Sequence, residues 1–165
     1  MSAIISECGK YRYRLERTVA MEGPVYAFFG VNPSTADAEL DDATVRKWTG
    51  FVKRWGGSRF IVGNVFAYRA TDVRELAIAP GHAIGPENIR HLREIAAAAD
   101  ICVPCWGSRA KLPQELHPSL KHMERELRAT GKPLAHFGLT ASGDPKHPLM
   151  LGYDTPLIDW ALERT

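Results

Sequence analysis

The segment Val25-Tyr26-Ala27-Phe28-Phe29-Gly30-Val31 is continuously apolar, and such a strand has to be covered on both faces. That requirement points to a parallel sheet held between helices. Phe60-Ile61-Val62-Gly63-Asn64-Val65, Ile101-Cys102-Val103-Pro104-Cys105 and Leu134-Ala135-His136-Phe137 are shorter runs of the same kind. The first two place β-branched residues between turn signals. Pro104 cannot donate to a ladder, so it belongs near a strand end or bulge. Tyr11 to Arg17 alternates large and charged residues, the mark of a half-exposed or edge strand.

Helical patterns separate these runs. Ala43 to Trp55 gathers Val45, Trp48, Phe51, Val52 and Trp55 on one face, with Asp41 or Asp42 able to cap its first turn. Glu87 to Ala99 gathers Ile89, Leu92, Ile95, Ala96 and Ala99 behind Gly85-Pro86. Glu115 to Ala129 repeats Leu116, Leu120, Met123 and Leu127, and Gly131 follows as a stop. Thr155 to Glu163 reads as a last short helix with Pro156 in its first turn. Strands alternating with helices make βαβ units. The expected fold class is therefore α/β, a three-layer α/β/α arrangement with a mainly parallel four-stranded central sheet and an N-terminal edge strand. At 165 residues the chain reads as a single domain over 1–165, large enough to bury a core without staples.

Charge and composition narrow the function classes. There are 21 Lys+Arg against 19 Asp+Glu, a net +2 that does not by itself announce a nucleic-acid binder. Net charge says nothing about distribution, so a local basic patch stays open. Arg90-His91-Leu92-Arg93-Glu94 and Glu124-Arg125-Glu126 read as solvated helix surface. No apolar run approaches the roughly 18–20 residues of a membrane span. The start has no basic n-region, so neither a membrane partner nor a secretory leader is expected. Three cysteines fit a reducing cytoplasm better than a disulfide framework.

In a sheet of this kind ligands bind beyond the carboxyl ends of the strands, so the following loops carry the functional signal. Ser34 and Thr35, after Asn32-Pro33, can offer N–H groups and hydroxyls to an anion or carbonyl. Asp37, Asp41 and Asp42 could orient a water, or simply cap a turn and a helix. Asn32 and Asn64 are amides at the ends of apolar strands and need partners, which a ligand edge can supply. With Phe66 and Tyr68 beyond it, Asn64 suits a planar heterocycle, amide to the edge and ring to the face. A core aromatic pair is the plainer alternative. Trp106-Gly107-Ser108-Arg109 and the loop from Thr140 to Pro148 complete the set. His147 there can donate to developing negative charge, or be an ordinary surface histidine.

Cys102-x-x-Cys105 with His117 and His122 approaches zinc-finger spacing, and Cys-x-x-Cys also suits a redox pair. Both cysteines lie in a strand, so buried apolar thiols are the expected outcome and no metal or cofactor is assigned.

Taken in order, these loops resemble the uracil-DNA glycosylase superfamily. Gly30-Val31-Asn32-Pro33-Ser34 resembles its Gly-x-(Asp/Asn)-Pro turn, in the branch where Asn replaces the catalytic Asp. Phe60 to Arg69 is similar to the strand whose Asn, here Asn64, reads the uracil edge. Cys105-Trp106-Gly107-Ser108-Arg109-Ala110-Lys111 looks like its Trp-Gly-Ser segment. Ser142 and His147-Pro148 lie where its His-Pro-Ser motif would be, and here Leu149 follows. The phrases Asn-Pro-Ser-Thr-Ala-Asp and Asn-Val-Phe-Ala-Tyr-Arg-Ala-Thr resemble, more closely, an uncharacterised bacterial family, domain of unknown function 1643.

The expected function is thus a cytoplasmic nucleobase- or nucleotide-recognising protein, with hydrolysis of an N-glycosidic bond as the reaction the resemblance implies. Its partner would be nucleic acid or a free nucleotide or nucleobase. Asn32 with Asp37 or Asp42 would hold the water, while Asn64 and His147 stabilise the departing base anion. Pro33 shapes the first loop and Phe66 or Tyr68 would stack the base. Ser34, Thr35, Arg69, Ser108 and Arg109 would hold phosphates, with Trp106, Gly107 and Ser142 alongside. The alternative is a non-catalytic module that binds a nucleotide or modified base, which needs no water-holding acid.

Overall fold

A computed structural model of the chain describes residues 1–34 and 36–160. Five strands form the main sheet: β1 (Ser2–Ile5), β2 (Arg12–Thr18), β3 (Val25–Gly30), β4 (Arg59–Asn64) and β5 (Ile101–Pro104). Their order is β1-β2-β4-β3-β5. Strands β4, β3 and β5 run parallel, and β2 and β1 extend the sheet antiparallel.

The apolar strands are covered on both sides, as their composition demands. Tyr26 and Phe28 of β3, with Phe60 and Val62 of β4, pack on Val45, Trp48, Phe51 and Val52 of α1 (Ala43–Arg54). The alternate residues Ala27, Phe29, Ile61 and Cys102 meet the opposite layer. That layer comprises α2 (Val73–Ile78), α3 (Pro80–Ile84), α4 (Asn88–Ala98) and α5 (His117–Ala129). Fully burying a side chain such as Phe28 or Ile61 contributes about 1.5–3 kcal/mol, so these two clusters dominate the fold. No helix among the described residues is long and apolar enough to cross a membrane.

Gly63 sets how closely α4 approaches. A Cβ there would stand 2.7 Å from Leu92 Cδ2 and 3.0 Å from Ile95 Cδ1. The bare backbone lets the helix settle onto β4 beside Asn64.

Several expectations are corrected. The edge strand is β1, with β2 second, because β2 pairs on both sides. The fourth parallel strand shrinks to β6 (Ala135–His136), joined to β5 by one bridge, Cys102 to Leu134. Pro104 and Pro133 have no N–H to lengthen that ladder. The outer side of β6 pairs instead with β7 (Ile158–Asp159), and Trp160 N donates to Leu134 O at 2.7 Å. Residues 155–160 are therefore not helical. The open edge of β6 offers unmet backbone groups that a short helix could not outcompete. Residues 161–163 of that expected helix lie outside the described residues.

Helices α2 and α3 also went unread. Asp72 caps α2 through Arg74 N, and Glu75 stands three positions on, a capping-box spacing that could have revealed it. A register shift between β1 and β2 pairs Ile4 with Arg14 and Ile5 with Arg12, leaving Tyr13 as the extra residue. This bulge brings Arg12 into phase with Leu15 and Arg17, on the α1 side, and turns Tyr11 and Tyr13 toward α3 and α4.

Candidate functional site

The loops leaving β3, β4 and β5 meet at one end of the sheet, joined by the loop from Thr140 to Leu149. Asn64, the last residue of β4, is 3% exposed. Its side-chain amide makes no hydrogen bond to any described residue. The backbone around it is fixed: Asn88 Nδ2 donates to Asn64 O at 2.9 Å and to Val65 O at 3.1 Å. Gly30 pairs with Asn64, and a Cβ at Gly30 would lie 3.0 Å from Asn64 Oδ1. The strand-end amide held this way makes no hydrogen bond to a described residue, and its polar atoms are not among the fully buried side-chain atoms that lack a partner.

Asn32 is differently engaged. Its Nδ2 donates to Ala70 O at 2.7 Å and stitches the first loop to the second. Pro33 is buried beneath that stitch. Ser34 is exposed and donates to Asp42, and Thr35 lies outside the described residues. Asp37 folds its own loop, accepting from Glu39 N and Leu40 N at 2.9 Å each. Those bonds hold its carboxyl below the usual range and leave it poorly suited to orient a water.

Asp42 stays near the site. One oxygen caps α1 at Val45 N and the other takes the Ser34 hydroxyl. Burial works to raise its pKa, yet those hydrogen bonds and the Arg12 charge outweigh it and hold the carboxyl below its ordinary value. The Asp42 charge reaches His147, where burial among the loop walls lowers the imidazole pKa against that attraction. His147 is open to solvent on its outer side. Its Nδ1 accepts from Leu149 N at 3.2 Å, so the neutral ring carries its proton on Nε2.

Beneath this pair lies Arg12, which the sequence reading passed over. It is 3% exposed and its Nη1 donates to Ala36 O at 2.6 Å. Burial lowers its pKa to about 10, so it stays charged at neutral pH, with Asp42 as its foremost counter-charge. Arg17 ties the same loop down, bonding Asp41 at 2.7 Å and the Asp37 carbonyl. Its alternation in β2 was the only signal available, and the bulge hid its meaning.

The remaining expected residues separate. Phe66 is fully buried in the core and cannot present a face to a ligand. Tyr68 is half-buried and lies edge-on to Tyr11, at 5.8 Å between ring centroids. Arg69 reaches Gly9 O with its Nη1, and its charge is felt by Arg12 and Asp37. Arg109 is clamped by Asp144, Nε to Oδ1 at 2.9 Å and Nη2 to Oδ1 at 2.9 Å, so it is a loop staple rather than a free cation. Ser142 donates to Asp144 and lies 2.9 Å from the Ser108 hydroxyl. Trp106, Gly107 and Ser108 line a hollow of about 470 Å³ that His147 also lines. Asn32 and Asn64 do not line it, so the three side chains expected to converge are divided between the strand ends and this adjoining hollow.

Cys102 and Cys105 face opposite layers of the sheet, and burial pushes their thiols up to about 11 and about 12. Neither is poised to form a thiolate. His117 bonds Arg109 O at 2.8 Å, and His122 stands exposed on α5. Among the described residues no group of three or more His, Cys, Asp or Glu is placed to hold a metal.

Residues 12–149 match the profile of a family described as "Protein of unknown function (DUF1643)". No curated protein and no solved structure matches the chain.

Proposed function

The chain belongs to the DUF1643 family, whose description assigns no activity, and from that premise we propose that it recognises a nucleobase or nucleotide at the carboxyl ends of β3 and β4. The observation that carries this reading is the Asn64 amide, buried, rigidly mounted and unbonded to any described residue. A carboxamide presents a donor and an acceptor side by side, which is the pattern of a pyrimidine or purine edge. The sequence motifs of the four loops resemble those of the uracil-DNA glycosylase superfamily, and that resemblance favours a base-sized guest.

The reaction proposed for this site is hydrolysis of an N-glycosidic bond. The departing base gathers negative charge, which the amide hydrogens of Asn64 would stabilise. A water positioned by the Asp42 carboxylate would meet the cation-like sugar carbon. Asp42 is preferred to Asp37 for that role because it is the carboxylate whose charge reaches His147.

One observation favours the alternative, a binding module without turnover. Asn32, Asp37 and Asp42 all hold structural hydrogen bonds, so none of the three residues expected to hold the water is wholly free for it. The two readings part in one experiment. Purified protein is incubated with oligonucleotides bearing uracil and damaged bases, and with the free nucleosides. Base release is followed by chromatography, and binding by calorimetry. Base release lost in Asp42→Asn marks the hydrolase; binding without release, lost in Asn64→Ala, marks the module. If no nucleic-acid component binds or reacts, both readings fail.

A further inference from the structure

We propose that the hollow between the loop after β5 and the Thr140–Leu149 loop is a phosphate subsite, seating the phosphoryl group of a nucleotide through Lys111 and Lys146. The proposal rests on the base-recognition reading above and names the part of the ligand that reading leaves unplaced.

The hollow encloses about 470 Å³, more than one phosphate needs and within the range of small-ligand clefts, roughly 300–1,000 Å³. Two lysines line it and no carboxylate does. Neither lysine takes part in an ion pair among the described residues, whereas Arg109, from the same loop as Lys111, is neutralised by Asp144. Asp144, the acid bound to this pair of loops, is thus already engaged, and both lysines border the same hollow. Their placement comes from separate loops. Lys111 ends a short 3-10 turn, Arg109–Lys111, that Ser108 caps through Ala110 N. Lys146 lies along Gly138, where φ is +110° and a Cβ would come within 3.5 Å of the lysine Cδ.

The other walls fit a sugar phosphate. Ser108 and Thr140 bring hydroxyls, and Leu112 and Leu151 offer apolar surface to the carbon face of a pentose. His147 lines this hollow, its Cβ 3.5 Å from where a Gly107 side chain would begin, and the charge of Asp42 on the first loop reaches it. A nucleotide with its phosphate on the lysines would carry its sugar past His147. The same phosphoryl chemistry could come from a free nucleotide or from the backbone of a single strand, so the test carries both.

Calorimetric titrations would compare the four deoxynucleosides, their 5′-monophosphates, inorganic phosphate and a short single-stranded oligodeoxynucleotide. At least one monophosphate should bind about tenfold tighter than its nucleoside, as expected when charge-assisted hydrogen bonds form to a phosphate. Lys111→Ala and Lys146→Ala should each remove most of that increment and leave nucleoside affinity unchanged; both lysines are exposed, so both variants should fold. If only the oligonucleotide gains, with the same lysine dependence, the subsite stands and the phosphate belongs to a polymer. If the phosphate increment persists while Asn64→Ala changes nothing, the subsite stands and base recognition fails. The subsite is overturned if phosphorylation adds no affinity, or if the double lysine variant keeps the whole increment.

Discussion

Asn88 commits both amide hydrogens to the carbonyls at the end of β4, whereas Asn64, whose carbonyl it holds, bonds no described residue through its own side chain. Truncating each should therefore separate folding from binding. Asn88→Ala leaves two buried carbonyls without their donor and should cost about 2–3 kcal/mol in urea denaturation. Asn64→Ala should stay within about 1 kcal/mol of wild type, and a larger loss would mean that its amide is structural. Asp144 supplies a pH test. Burial raises its pKa, but the bonds from Arg109 and Ser142 prevail and hold it low. A depressed folded pKa adds stability above the unfolded value, near 3.9, and that stability drains as pH falls through the folded one. Asp144→Asn should thus cost about 1–3 kcal/mol at pH 7, discounted for the partly exposed Arg109, and progressively less below about pH 4. A gap that does not narrow in acid would contradict the clamp. At this scale Asn64 was legible because a polar residue ending an apolar strand stands out. Arg12 was not, because a bulge invisible in the sequence turned it inward.

Among the elements, α4 decides how the site is mounted. Alanine normally suits a strand no worse than glycine, yet at Gly63 the new methyl would press on Leu92 and Ile95. Gly63→Ala should lose about 1–3 kcal/mol in denaturant melts and weaken any ligand bound at Asn64, because α4 carries Asn88. Unchanged stability would show that the helix can move freely off the sheet. The periodicities made β3, β4, α1, α4 and α5 readable, since each buries one regular face. They failed where burial pattern is not the deciding force. The segment from 155 to 160 has a helix-like start at Pro156 but is drawn to the free edge of β6. The short α2 is held by its Asp72 cap, and both it and α3 by tertiary contact, more than by an amphipathic stripe.

For the whole molecule, two apolar clusters lie on either side of one sheet, and the polar loops gather at the carboxyl ends of its parallel strands. That partition followed from the apolar character of the strands alone. What the sequence could not convey is which loop residues hold the protein together and which are left for a guest. Arg109, Asp37 and Asn32 proved to be fastenings, whereas the side chains of Asn64, Lys111 and Lys146 bond no described residue. The most direct measurement follows the Asn64 side-chain amide itself. In protein labelled with ¹⁵N, its NH₂ resonances, assigned by their loss in Asn64→Ala, are recorded while deoxynucleosides and their monophosphates are added. The account predicts that at least one base shifts this pair strongly and saturably, with little change at Asn88. An Asn64 pair that stays in place through every titration would contradict it.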